Sequence, residues 1–405
     1  MTSANPGSTR AGHFVRQPAG FTAFVPAPLP PSPPLILDDI MLALLSDAGM
    51  ALGRLDGVTE TLPNPSLFVA MYVRREAVLS SQIEGTESTL EDILEYELHA
   101  KGRELPRDIE EVVNYVSAMS YGIDRLDTLP LSLRLIREIH AELLRDVRGS
   151  DRRPGEFRSS QNWIGPPGAT IAQATFVPPT VEDMKDALDK FEKFMHNESQ
   201  LPLLLHVGLA HAQFETIHPF LDGNGRVGRL LITFLLYHRN ALRKPLLYLS
   251  HYFRSKRAEY YDRLTAIREE GHWEGWLKFF LGGVLETARE AVETARAIVL
   301  LRAEHEMLLR DNGVGITGLN LLNLLFDSPL VTVARVSERL EISYGTANSL
   351  IGQFADFGML QETTGQKRNR RFSYGQYLAL FEDDETPVVQ EESEATATPG
   401  GKQLA

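Results

Sequence analysis

The chain has 405 residues, 43% hydrophobic and 23% charged, with a net charge of −13. That is length for two or three domains with an ample core, and the acidic balance argues against broad affinity for nucleic acid by the molecule as a whole. Cysteine is absent, which excludes disulfides, thiolate catalysis and cysteine-held zinc. No apolar signal core opens the chain and no uninterrupted apolar stretch is long enough to span a bilayer, so a cytoplasmic protein without membrane contact is expected.

Residues 1–20, rich in Pro, Gly and Ala, read as a mobile arm. Residues 21–125 read as a helical region, with periods at Leu37-Ile40-Met41-Leu44, Met71-Val73-Ala77-Val78 and Ile109-Val112-Val113-Val116. Residues 126–290 form the expected core. Its first helix runs from Leu131 to Leu144 with Ser132 near the start, and Asp151-Arg152-Arg153-Pro154-Gly155 ends it. Strand-like patches lie in 156–178, around a hairpin loop at Pro166-Pro167-Gly168. Val181 to Met195 resumes helix, and the apolar positions of Leu203 to Phe214 suit another. Leu277 to Leu309 is one long helical pattern without proline, of which 291–314 would link the core to a C-terminal unit.

That unit, 315–376, reads as helices at Leu319–Leu325 and Val333–Leu340, a third opened by Ser343, and a β-ribbon from Gln361 to Tyr374 turning at Gly365. The order resembles a winged helix, with the third helix as the major-groove element and Lys367, Arg368, Arg370 and Arg371 in the wing. Charges that merely solvate an edge hairpin explain the same residues. DNA contact and protein docking therefore stay equally open. Residues 377–405, with Glu382-Asp383-Asp384-Glu385, read as a disordered acidic tail.

The densest chemistry is His218-Pro-Phe-Leu-Asp-Gly-Asn-Gly-Arg-Val-Gly-Arg229, followed by the apolar run Leu230 to Leu236, which reads as a buried helix. A glycine-bearing loop feeding a helix start offers free N–H groups and the positive end of the helix dipole to an anion. Two arginines beside it favour a polyphosphate. His218 titrates near neutrality, which suits a base for a hydroxyl, and Asp222 is a hard oxygen ligand suited to Mg²⁺ between phosphates. Asn224 and the backbone amides would stabilise charge on the transferred group. Gly223-x-Gly225-x-x-Gly228 also fits a dinucleotide fingerprint, but no strand precedes it and no acidic residue lies between Arg229 and Glu259. A zinc site from His206, His211 and His218 fails on spacing, since steps of five and seven place them off one face or two turns apart.

All fixed positions of 218–229 match the signature of the Fic (Fido) family, His-x-Phe-x-Asp/Glu-Gly-Asn-Gly-Arg-x-x-Arg. Phe157-Arg158, Gln161 to Gly165 and Phe176 to Pro179 resemble that family's flap. Tyr260-Tyr261 and Leu264, before Trp273 and Trp276, resemble the segment that closes over the adenine. Phe21 to Pro26 with Pro28 to Pro31 resembles the arm of its long members, so the likeness covers about residues 20–290. It implies a mainly α protein: a Fic-type helical bundle with a β-hairpin flap, plus the winged helix.

The implied activity is transfer of AMP from ATP to a Ser, Thr or Tyr hydroxyl of a protein, the chain itself among the candidate targets, with Mg²⁺ as cofactor. Gly223, Asn224, Gly225, Arg226, Gly228 and Arg229 would bind the nucleotide, Arg229 at the γ-phosphate. Ile164 would cover it, Tyr261 and Leu264 would line the adenine, and Asp222 would hold the metal. Relatives that phosphorylate tend to replace the second loop glycine, and Gly225 is retained. Ser80-Ser81-Gln82-Ile83-Glu84-Gly85 matches the family's inhibitory motif, which implies that Glu84 pairs with Arg229 and silences the enzyme. Ser80 and Glu84, four apart, would share a helix face. Two other readings stay open: removal of AMP at the same site, and a nucleotide-sensing DNA-binding regulator. A homodimer is also left open.

Overall fold

The computed structural model describes residues 10–61, 65–99, 107–147, 152–166, 168–197, 201–366 and 368–381. The expectations for 1–9, Lys367 and the acidic tail from 382 lie outside them. A helical body comprises α1 (Asp39–Thr61), α2 (Pro65–Ile83), α3 (Leu90–His99), α4 (Arg107–Leu126), α5 (Leu133–Leu143) and α6 (Val181–His196). It continues through α7 (Leu203–Ile217), α8 (Asn224–His238), α9 (Ser250–Ser255), α10 (Arg257–Glu270) and α11 (Trp273–Asp311).

Apolar patterning decides which helices sit innermost. α7 is buried from Leu204 to Ile217, and α8 from Asn224 to Leu236 except at Gly225, which is partly exposed. A helix apolar on every side is stable only when neighbours surround it. Here α6, α10 and α11 pack on α7, and α2, α4 and α5 pack on α8. Side-chain caps set two of the outer starts: Ser132 accepts from the Leu135 amide at α5, and Thr180 from the Asp183 amide at α6. α11 is continuous over 39 residues, lies along α1, and buries Trp273, Trp276 and Phe280 in the core.

The β-structure departs from expectation in two places. In the arm expected to be mobile, β1 (Gly12–Arg16) forms, and it pairs antiparallel with β2 (Thr22–Pro26), just beyond that arm, across a turn at Gln17–Phe21. Arg10 anchors it by forking onto Glu274 at 2.7 and 2.9 Å and donating to the Pro33 and Pro34 carbonyls. In contrast, 156–178 holds a single antiparallel bridge, Ile164 with Phe176, and no ladder among its described residues. Polar side chains hold the segment in place: Gln161 donates to the Pro178 carbonyl across it, and Asn162 to the carbonyls of His218 and Phe220. The flap is a pinned loop rather than a ribbon.

After α11 come α12 (Ile316–Asp327), β3 (Leu330–Thr332), α13 (Val333–Arg339), α14 (Tyr344–Asp356), β4 (Gln361–Glu362), β5 (Arg371–Ser373) and α15 (Gly375–Leu378). The three strands form an antiparallel sheet in the order β3-β5-β4. This unit docks on the body: Phe381 meets Tyr72 of α2 edge-on, His305 of α11 bonds Tyr374, and Arg371 pairs with Glu95 of α3.

Candidate active site

α7 ends at His218, whose left-handed backbone (φ 49°) turns the chain out of the helix. α8 begins after Gly223, also left-handed at φ 75°. Between them Asn224 clamps the loop, its Oδ1 accepting from the Phe220 amide at 2.8 Å and its Nδ2 donating to the Phe220 carbonyl at 2.9 Å. Each end of the Asn224 amide thus holds the Phe220 backbone, and the residue is 2% exposed. These bonds shape the loop. The Phe220 ring stacks on His140 at 3.7 Å. His140 Nδ1 accepts from the Gly155 amide, so its Nε2 carries the proton and donates to the Asp222 carbonyl at 3.0 Å. Burial pushes that imidazole down to about 4, so it stays neutral.

Buried Arg158 holds the other side, donating to the carbonyls of His218 and Pro179. Its charge and that of Arg268 act on the His218 ring. Burial first, then Arg268 and Arg158, push the His218 imidazole down to about 4, against the Glu215 carbonyl and the Glu84 carboxylate. A neutral imidazole keeps a nitrogen lone pair free to take a proton, which is a base in its working form. Glu215 is the unexpected group here. Burial lifts its carboxyl to about 7 although Arg229 and Arg268 pull against it. It lies against Gly228, where a Cβ would stand 2.3 Å from Glu215 Oε1. Gly228 therefore permits the close approach of α7 to α8.

The two arginines of α8 are buried and each meets a carboxylate from the N-terminal region. Arg226 donates to Glu111 of α4 at 3.0 Å, with Asp222 Oδ1 at 3.7 Å on its other nitrogen. Arg229 donates to Ser80 Oγ at 2.8 Å, to the Ser80 carbonyl at 2.9 Å and to Glu84 at 2.7 Å. Glu84 stands one residue past α2, where Gly85 (φ 99°) turns the chain. Burial works to raise the Glu84 carboxyl, but the Arg229 charge and hydrogen bond outweigh it and hold the group below its ordinary value. The carboxylate covers the first turn of α8: a Cβ on Gly225 would come within 2.2 Å of Glu84 Oε1. Glu84 thus occupies the anion position that the helix start offers.

Asp222 is 37% exposed in its side chain, with Oδ1 accepting from the Gly223 amide. No group of three or more metal-ligating side chains occurs among the described residues. One accessible carboxylate beside an anion site suits Mg²⁺, which takes one or two carboxylates and completes its shell from phosphates and water. Of the other expected residues, Ile164 is half-buried in its bridge, and Tyr261 is 41% exposed with its phenol raised by burial and then by Glu84. Leu264 is 2% exposed and packed in the core. Tyr260 is buried too, bonded to His211.

Two family models match this chain: Fic/DOC family N-terminal over residues 42–124 and Fic/DOC family over 130–236. Residues 42–124 and 130–236 are thus similar to the Fic/DOC family. The second match contains the whole His218–Arg229 loop, and the first contains Ser80, Glu84 and Glu111. The chain is 32% identical over 160 residues to proteins named protein adenylyltransferase Fic from Drosophila virilis and Drosophila willistoni, a match covering 38% of it and 30% of each relative. It therefore spans under a third of those relatives. A crystal structure of a Fic family protein from Desulfovibrio desulfuricans G20 shares the fold, with a TM-score of 0.56 and 20% identity over 84% of this chain and 97% of that one. Among the described residues, no helix is long and apolar enough to cross a membrane.

Proposed function

We propose that this protein is a Fic adenylyltransferase that moves AMP from ATP to a Ser, Thr or Tyr hydroxyl of a protein, and that Glu84 keeps it silent. The observation that carries the reading is the Arg229–Glu84 pair at the first turn of α8, 2.7 Å long, where a polyphosphate would otherwise sit. In the open state Arg229 is released to the outer phosphates, while Arg226 and the amides of residues 224 and 225 receive the others. The neutral His218 imidazole takes the proton of the target hydroxyl. That oxygen forms a bond to the α-phosphorus as the bond to pyrophosphate breaks, and a water-poor pocket of fixed donors holds the charge in place. Mg²⁺, when bound by Asp222, supplies neutralisation of phosphate charge. Ile164 and Tyr261 would flank the nucleotide.

The full chain incubated with ATP labelled at the α- or γ-phosphate tests this. Wild type is expected to be nearly silent. Glu84→Gly should transfer α-label to protein, and Arg229→Ala should cancel that gain. Transfer of γ-label would make the protein a kinase instead, and neither label would favour a nucleotide-sensing regulator. Unchanged activity in Glu84→Gly removes the clamp from the mechanism. The same Glu84 can align water for removal of AMP, in which case its loss abolishes release of AMP from a modified target.

For residues 315–376 we infer a winged helix. The order helix, strand, helix, helix, strand, strand supports it, with Tyr344, Thr346, Asn348 and Ser349 exposed on α14. Arg370 reaches Asn348 and Arg371 reaches Glu95, so these two wing cations serve packing within the molecule. That favours a docking role over a major-groove role.

A further inference from the structure

Arg226 lies between two carboxylates of unequal hold. Glu111, 1% exposed in its side chain, takes Nη1 at 3.0 Å, whereas Asp222 stands 3.7 Å from Nη2, beyond direct hydrogen bonding. The third edge, Nε, is buried without a partner among the described residues. Glu111 comes from α4, outside the catalytic loop and outside residues 130–236. It sits on the same face of that helix as Tyr115 and Ala118, both fully buried, so it is a charge set deliberately into an apolar surface.

We propose that Glu111 is a positioning residue for the phosphate site: by gripping one end of Arg226 it keeps the guanidinium from closing on Asp222, and so leaves that carboxylate for a divalent cation. The inference rests on the reading of Asp222 given above. A buried guanidinium seeks a carboxylate partner, because an unpaired charge away from water is costly. Asp222 is one turn away on the loop and would form a direct pair with Arg226 if Glu111 let go. A carboxylate spent on arginine has less negative charge to offer Mg²⁺. Glu111 therefore sets the competition between an internal cation and an external one, and it leaves Nε of Arg226 to meet a phosphate oxygen.

The test uses the full chain in a Glu84→Gly background, which opens the anion site. In a crystal structure of Glu111→Gln, Arg226 should move from 3.7 Å to direct contact with Asp222, near ~2.8 Å. Calorimetric titration of ATP at graded Mg²⁺ should show the half-saturating Mg²⁺ rising by roughly tenfold, the lower end of what the loss of such an outer partner costs. ATP binding in EDTA should hold, a result that general damage to the fold would not spare. Glu111→Asp should restore the Mg²⁺ dependence, and adding Asp222→Asn to Glu111→Gln should cause no further loss. The proposal is overturned if Arg226 stays clear of Asp222, or if Glu111→Gln leaves the Mg²⁺ dependence unchanged while Asp222→Asn shifts it. The crystallographic arm involves no transfer chemistry, so failure of AMP transfer with Arg226 on Asp222 would count against the proposed activity alone.

Discussion

Two clusters of arginine in this molecule share a composition and differ in everything else. In the α8 nest, Arg226 and Arg229 have side chains about 2% exposed and each is gripped by a glutamate more than a hundred residues away in sequence. In the C-terminal sheet, Arg368 is exposed, and Arg371 meets Glu95 with side chains 24% and 37% exposed. Breaking a buried pair leaves a charge without water and costs about 3–5 kcal/mol, whereas an exposed pair is worth about 0–1 kcal/mol. Burial, rather than the residue type, decides where charge carries chemistry.

The sharpest test of the buried region is its base. In the Glu84→Gly protein, His218→Ala should lower α-label transfer by about 10²–10⁴-fold, the usual cost of a positioned base, with ATP affinity nearly intact. Binding that collapses together with transfer would make His218 a structural residue and put the chemistry elsewhere.

A second, smaller effect belongs to Glu76 of α2, which shares a face of that helix with Ser80, four residues on. It accepts from Tyr115 at 3.0 Å and from Ser250 Oγ and its amide. Burial still lifts its carboxyl to about 7, against those bonds and the Arg229 charge. A folded value raised above the ordinary 4.5 of a glutamate gives stability that is full below about 4.5 and lost as pH rises through about 7. At pH 8 the ionised group costs on the order of 3 kcal/mol relative to a neutral one. Glu76→Gln keeps an acceptor oxygen and stays neutral, so its unfolding free energy should match wild type near pH 4.5 and exceed it at pH 8. Equal pH profiles would show that Glu76 is solvated or paired beyond what these bonds indicate. The histidines pushed down by burial, such as His211 to about 3, act in the opposite sense and cancel in this difference.

The same contrast explains what the sequence made legible. Residues 218–229 were readable because the anion site needs its base, carboxylate, glycines and arginines within one turn of chain and one turn of helix. Glu84 was readable through its motif, and its partner Arg229 followed. Glu111, Glu215, Arg158 and His140 were not, because each reaches the loop from another element and only folding brings it there. A weak signal existed: Glu215 interrupts an otherwise apolar helix between Phe214 and Thr216, and Glu111 lies on the Tyr115 and Ala118 face. The hold of Asn224 on the Phe220 backbone was likewise not legible, because spacing does not show which way an amide in a loop turns. The strand pair at 12–26 was hidden by the Pro, Gly and Ala around it. The patches at 156–178 promised strands, and the structure bridges them only at Ile164 and Phe176 among the described residues.

The smallest effect is expected where the comparison is most exposed, at Arg371 of β5. Its pair with Glu95 spans the C-terminal sheet and α3, and α3 follows directly on the turn that carries Glu84. Both partners keep solvent contact, so Arg371→Ala should reduce unfolding stability by under about 1 kcal/mol, and by less still in high salt. Glu95→Ala should do the same, and the double variant should show little more, since the pair acts as one. The unit would stay docked through Phe381 on Tyr72 and Tyr374 on His305, both buried contacts. A loss of several kcal/mol from Arg371→Ala would mean that this pair is as dry as the one between Arg226 and Glu111, and the division drawn between the two clusters would fail. If Arg371→Ala instead left stability alone but raised basal α-label transfer, the sheet would be restraining the Glu84 turn through α3.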